Sequence, residues 1–129
     1  MSLASTEERT LVLPVAALSR DRDIVVVRVA EGFHQTMQDA RTLLGAVASL
    51  AEGDRVALLI DLRKAKPLEP EVRQIYTGPE VEAYRAIGLL VETSPFGRVM
   101  GSFYLRVARL GTPTRIFTDE EAARAWLRS

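Results

Sequence analysis

Residues 56–63 read VALLIDLR, and this stretch decides the fold. Five apolar residues, Val56 to Ile60, run unbroken into Asp61, and the segment stops at Arg63-Lys64. A continuous apolar run this short, without alternation, marks a strand covered on both faces, as in a parallel sheet. The residues on its N-terminal side read as a hairpin and a first helix. Those on its C-terminal side read as repeated helix–strand units returning to the same sheet.

Immediately upstream, Thr36-Met37-Gln38-Asp39 is a helix start, with Thr36 as the N-cap and an acid three residues on. Met37, Ala40, Leu43, Leu44, Val47 and Leu50 form one apolar stripe behind it. Glu52-Gly53-Asp54 ends the helix with a glycine where a C-cap wants one. Further back, residues 24–30 are β-branched and dense in Val, and residues 19–23 supply turn chemistry. Residues 10–15 are a short apolar run carrying Pro14, which suits an edge strand or a strand end. These two segments read as an antiparallel hairpin. Residues 1–9 are polar and expected to be disordered, which leaves residues 10–129 as a single domain.

Downstream, Pro67 and Pro70 bracket a loop, and Pro70 suits the first turn of a helix with Val72, Ile75 and Tyr76 inward. Gly78-Pro79 stops that helix, and a turn at residues 80–84 leads into a second unbroken apolar strand, residues 86–91, interrupted by Gly88. Thr93-Ser94-Pro95 opens the next helix, which carries Phe96, Val99, Met100, Phe103, Val107 and Leu110 at helical spacing. Gly111 closes it. Residues 114–117 form a short strand, and Thr118-Asp119-Glu120-Glu121 is a capping box for a last helix packed through Ala122, Ala123, Trp126 and Leu127. The order is β-β-α-β-α-β-α-β-α: an α/β protein with a mostly parallel sheet plus one antiparallel N-terminal edge strand. Its helical crossovers are expected to be right-handed. The loops leaving Asp61 and Val91 then share the carboxyl edge of the sheet, where open α/β sheets place ligands.

Composition narrows the function classes. At 129 residues the chain can bury roughly two-thirds of its unfolded surface, enough for one core. Seventeen basic and seventeen acidic residues cancel, so no global field draws it onto nucleic acid. The absence of cysteine removes disulfides, thiolate zinc sites and a cysteine nucleophile together. No apolar run approaches the roughly 18 residues of a membrane span, and the N-terminus has no signal-peptide pattern, so a cytoplasmic protein is expected. No cofactor is expected either, because phosphate-binding loops of the Walker or dinucleotide type are missing.

The element order and its local motifs resemble the STAS domain (sulfate transporter and anti-sigma factor antagonist) and its SpoIIAA-like relatives. The nearest group is the small bacterial STAS-like or CRAL-TRIO-like proteins without assigned function. The resemblance spans residues 24–129. It is carried by Asp61-Leu62-Arg63, by Ala86-Ile87-Gly88-Leu89-Leu90-Val91, by residues 94–103 (SPFGRVMGSF) and by the closing PTRIFTDEEA of residues 113–122 with Trp126-Leu127. It implies a SpoIIAA-like fold and a non-catalytic regulatory or protein-interaction module. In anti-sigma factor antagonists a Ser after the Asp-Leu strand end is phosphorylated. Here that stretch is RKAKPLEPE, residues 63–71, with no Ser or Thr, so the phospho-switch is expected to be absent.

Three groups of residues are candidates for function. His34, the single histidine, lacks the convergent ligands a metal site needs and reads as a surface or capping residue. Asp61 at a strand end reads first as a cap for the adjoining loop. Arg63, Lys64 and Lys66 form the densest basic cluster, and Arg98, one turn past Ser94, should face the same edge. Arg63, Lys64, Ser94 and Arg98 together are a candidate anion site. Phe96, Met100, Phe103 and Tyr104 are a candidate apolar pocket or interface, because aromatic residues concentrate in interface cores. The leading expectation is therefore a protein partner, with a homodimer as one case. The alternative is a small carrier or sensor for an anionic small molecule or lipid.

Overall fold

The computed structural model describes residues 9–66, 68–76, 84–92 and 111–129. Its centre is β4 (Ala57–Asp61), whose residues are buried except for the half-buried Ile60. That burial comes from its place in the sheet. On one side it pairs in parallel with β3 (Ile24–Val29) and on the other with β5 (Ile87–Leu90). Beyond β5 lies β6 (Thr114–Phe117), also parallel. On the far side, β2 (Ala16–Asp21) runs antiparallel to β3, and β1 (Arg9–Val12) runs antiparallel to β2. The six strands stand in the sheet in their sequence order.

The α/β class and mostly parallel sheet are as the sequence predicts, but the N-terminal segment holds one more strand than the predicted hairpin. Pro14 does not sit inside a strand. It lies in the connection between β1 and β2, where Leu13 N–H donates to the Ala16 carbonyl at 2.9 Å. The chain then re-enters the sheet as AALSRD. Only Ala16 and Leu18 of that strand are fully buried, so its apolar signal is thin. The predicted turn at residues 19–23 tightens to Arg22-Asp23, with Arg22 at φ 58.

The sheet is covered on both faces. Helix α1 (Met37–Ala51) lays Leu43, Val47 and Leu50 against Val25, Val27, Leu58 and Leu89. Its Thr36 cap is reciprocal: Thr36 Oγ1 accepts from Asp39 N–H at 3.1 Å, and Asp39 Oδ2 accepts from Thr36 N–H at 2.8 Å. At its other end Glu52 takes the left-handed conformation, and Arg20 Nη1 donates to the Leu50 and Ala51 carbonyls at 2.9 and 3.0 Å. The short helix α2 (Pro70–Tyr76) adds buried Val72, and Tyr76 donates its hydroxyl hydrogen to buried Gln35.

The opposite face is covered by α3 (Glu120–Arg128), through Ala123 and Leu127 on Ile24, Val26, Ala57, Leu59 and Leu90. Leu127 packs over Gly88, where a Cβ would just reach van der Waals contact with Leu127 Cδ1 at 3.4 Å. The predicted cap is off by one residue. Asp119, not Thr118, is the N-cap, with its carboxylate accepting from Ala122 N–H at 3.0 Å. Ala122, predicted to pack inward, is exposed. No helix among the described residues is long and apolar enough to cross a membrane. The predicted helix starting at Ser94, the Gly78-Pro79 stop and residues 1–8 lie outside the described residues.

Candidate functional site

β3 reads IVVVRV, so one arginine interrupts a strand that is otherwise buried. Its side chain stays 42% exposed near the end of the strand, where the guanidinium meets both solvent and neighbouring carboxylates. The parallel register supplies one: Arg28 stands beside Asp61, the last residue of β4. The chain leaves β6 on the same edge of the sheet and turns at Asp119 into α3. Glu120, the first residue of α3, is thereby held over Arg28.

The result is a continuous ion network. Arg28 forks onto Glu120, with Nη1 to Oε1 at 2.9 Å and Nη2 to Oε2 at 3.0 Å, and its Nη1 also donates to Asp61 Oδ2 at 3.0 Å. Asp61 is further engaged by Arg63. The Arg63 backbone N–H and Nε donate to Oδ1 at 3.1 and 3.0 Å, and Nη2 donates to Oδ2 at 2.9 Å. Asp61 therefore caps the loop after β4, the structural role expected of it. From Glu120 the chain of charges continues to Arg124, whose Nε donates to Oε2 at 3.0 Å. Arg124 Nη1 and Arg128 Nη2 then reach Asp21 Oδ2 at 3.0 and 3.3 Å, at the hairpin end of β2. Bidentate arginine–carboxylate pairs such as Arg28–Glu120 are the stronger class of ion pair.

These contacts set the protonation states. Hydrogen bonds from Arg28, and then from Arg124, outweigh the desolvation of Glu120 and bring its carboxyl down to about 2. For Asp61 the largest influence is burial, which pushes upward. The combined hydrogen bonds from Arg63 and Arg28 exceed it and leave the carboxyl below its ordinary value. The Arg28 and Arg63 guanidiniums are pushed up by the carboxylates they bind. Asp61, Glu120, Arg28 and Arg63 are all charged at neutral pH.

Above the network lies an open cleft of ≈ 670 Å³, lined by Arg28, Val29, Asp61, Arg63, Lys64, Glu92 and Glu120. Its three cations and three anions cancel. Arg63 and Lys64, two of the predicted anion-site residues, are brought here, but Arg63 is occupied by Asp61. Exposed Lys64 makes no ion pair with a described residue. Ser94 and Arg98, like Phe96, Met100, Phe103 and Tyr104, lie outside the described residues. His34 is exposed, two residues ahead of the α1 cap, and no group of three or more metal-ligating side chains occurs among the described residues. Sequence reasoning missed Arg28, Glu120, Arg124 and Asp21. Arg28 was detectable as the lone charge in a Val-rich strand, whereas Glu120 carries no local sign of a partner 92 positions away.

Residues 18–129 match the profile of a domain of unknown function, DUF7793, and the chain belongs to that family. No curated protein sequence matches it. Among solved structures it is similar to an uncharacterised protein of the DUF3478 family from Shewanella loihica PV-4, described as having a SpoIIAA-like fold. The identity is 14%, the TM-score is 0.61, and the match covers 94% of this chain and 95% of that one. The likeness establishes the SpoIIAA-like fold.

Proposed function

We propose that the chain is a non-enzymatic regulatory or protein-interaction module of the STAS-like type, acting in the cytoplasm through the carboxyl edge of its sheet. The observation that carries this reading is the closed ion network. Acid–base chemistry at neutral pH needs a group poised to gain or lose a proton there. Asp61 and Glu120 are instead held ionised by arginines that fix α3 to the sheet. What the edge offers a partner is shape and the outer charges, with Lys64 and Glu92 exposed at the rim of the cleft. The loop of residues 63–71 has no hydroxyl to phosphorylate, so recognition there is not switched in the manner of anti-sigma factor antagonists. In this reading Ser94, Arg98, Phe96, Met100, Phe103 and Tyr104, all outside the described residues, remain candidates from the sequence for contact with the partner.

One observation favours a second reading, a carrier or sensor of an anionic small molecule or lipid. The cleft volume falls within the ~300–1,000 Å³ of small-molecule sites, and Lys64 is available at its rim. Native mass spectrometry of the purified chain separates the two. The interaction module gives protein assemblies without added mass. A carrier gives a retained mass of small-molecule size that is lost in Lys64→Ala.

A further inference from the structure

We propose that the open edge of β1 pairs antiparallel with β1 of a second copy of this chain, about a two-fold axis at Leu11, to make one continuous sheet. This deepens the interaction reading by naming one partner, and it rests on the strand edge rather than on the cleft.

The hydrogen-bond phase of the sheet locates the free groups. Leu13 N–H bonds to the Ala16 carbonyl, so Leu13 and Ala16 form a hydrogen-bonded pair. In an antiparallel ladder such pairs alternate with pairs whose backbone groups point away. With the register Arg9↔Arg20, Thr10↔Ser19, Leu11↔Leu18 and Val12↔Ala17, the odd residues Arg9 and Leu11 are turned toward β2. Thr10 and Val12 therefore direct their N–H and carbonyl groups outward, along an edge that no described strand covers.

Two of the four side chains on this strand, Leu11 and Val12, are apolar, where exposed edge strands often carry charges. Val12 is 79% exposed and Leu11 36%, which makes two of the large apolar residues exposed among the described residues immediate neighbours. The strand's one charge, Arg9, is already paired within its own chain to Glu52. An edge of this kind meets no like-charge penalty from a copy of itself.

Symmetry then selects the register. A two-fold axis normal to the sheet keeps each face continuous and places residues of the same face opposite one another. Centred on Leu11, it sets Thr10 opposite the partner's Val12 and Val12 opposite the partner's Thr10, so both outward pairs close as hydrogen-bonded pairs. The two Leu11 side chains meet in the intervening close pair, on the α1 face. On the other face, Val12 packs on the partner's Thr10. The two Arg9 residues are carried to opposite ends of the junction. An axis centred on Thr10 would close only one such pair from the described strand and would set Arg9 against Leu11.

Sedimentation equilibrium of the full chain over a concentration series tests this. The wild type is expected to rise from 14.3 kDa toward twice that mass. Leu11→Lys and Leu11→Glu are each expected to stay monomeric, because like charges face each other across the axis, and an equimolar mixture of the two is expected to regain the dimer. Thr10→Pro removes an outward N–H without touching a bond to β2, and is expected to be monomeric as well. Thermal melts by circular dichroism confirm that each variant is folded. If Leu11→Lys fails that control, Thr10→Pro decides. A wild type that remains at 14.3 kDa throughout overturns the proposal, and so does a dimer that persists in both Thr10→Pro and Leu11→Lys. Either result leaves the carboxyl-edge reading to its own test of retained mass.

Discussion

Arg28 is the half-exposed residue near the end of an otherwise buried strand, and it offsets its partial desolvation by holding two carboxylates at once. Removing one member of such a set leaves the others partly buried and under-paired. Arg28→Ala is therefore expected to cost about 1–3 kcal/mol in urea unfolding, the upper part of that range being tempered by the exposed share of the cluster. Glu120 gives the network a pH signature. Its folded-state value is depressed to about 2 from an ordinary 4.5, so its contribution is fully present above the ordinary value. That contribution is lost as pH falls from there toward about 2. Acid unfolding monitored by circular dichroism should show Glu120→Gln to be less stable than wild type at neutral pH, with the difference shrinking through that window. At this scale half of the site was legible. Arg63, Lys64 and the capping role of Asp61 are read from a strand end that runs into a basic loop. Glu120 could not be paired with Arg28 from sequence, because only the return of the chain after β6 brings them together.

At the scale of elements, local chemistry was legible wherever a helix carries its own start and stop signals. Thr36 with Asp39 and the Glu52-Gly53 end delimit α1 as the sequence indicates, and Pro70 opens α2. Two misreadings have physical causes. β2 buries little, so its alternation does not stand out from the turns around it. The start of α3 slipped because Thr118 and Asp119 are both competent caps. The placement at Asp119 puts Glu120 in the first turn, where it faces Arg28 and benefits from the helix dipole. Asp119→Ala is expected to lose about 1 kcal/mol of stability, measured by chemical denaturation, while Thr118→Ala should change little. In the contact between α3 and the sheet, Gly88 leaves room for a methyl but not for a larger branched side chain. Gly88→Val drives branched methyls toward Leu127 and Leu59, and should destabilise by about 1–3 kcal/mol, read as a lowered melting temperature.

For the whole molecule, the apolar run into Asp61 was enough to infer a parallel sheet with its candidate functional edge at the strand carboxyl ends. Spacing alone left the strand order open, and the sheet settles it as sequential. With α1 on one face and α3 on the other, the same edge gathers the ends of β3, β4 and β5 and the start of α3 into one charged cleft. Those charges cancel among themselves. For that reason the wild-type cleft should have little affinity for inorganic phosphate. Glu120→Ala, which removes one of the cleft's three carboxylates and leaves Arg28 held only by Asp61, should gain it, as isothermal titration calorimetry would show. The most direct measurement of the central claim is an NMR titration of the side-chain carboxyl carbons of Asp61 and Glu120. Glu120 is expected to titrate near 2 and Asp61 below its ordinary value, so that both stay ionised through neutral pH. Either carboxyl titrating near neutrality would contradict the claim, since the edge would then hold a group poised for proton transfer.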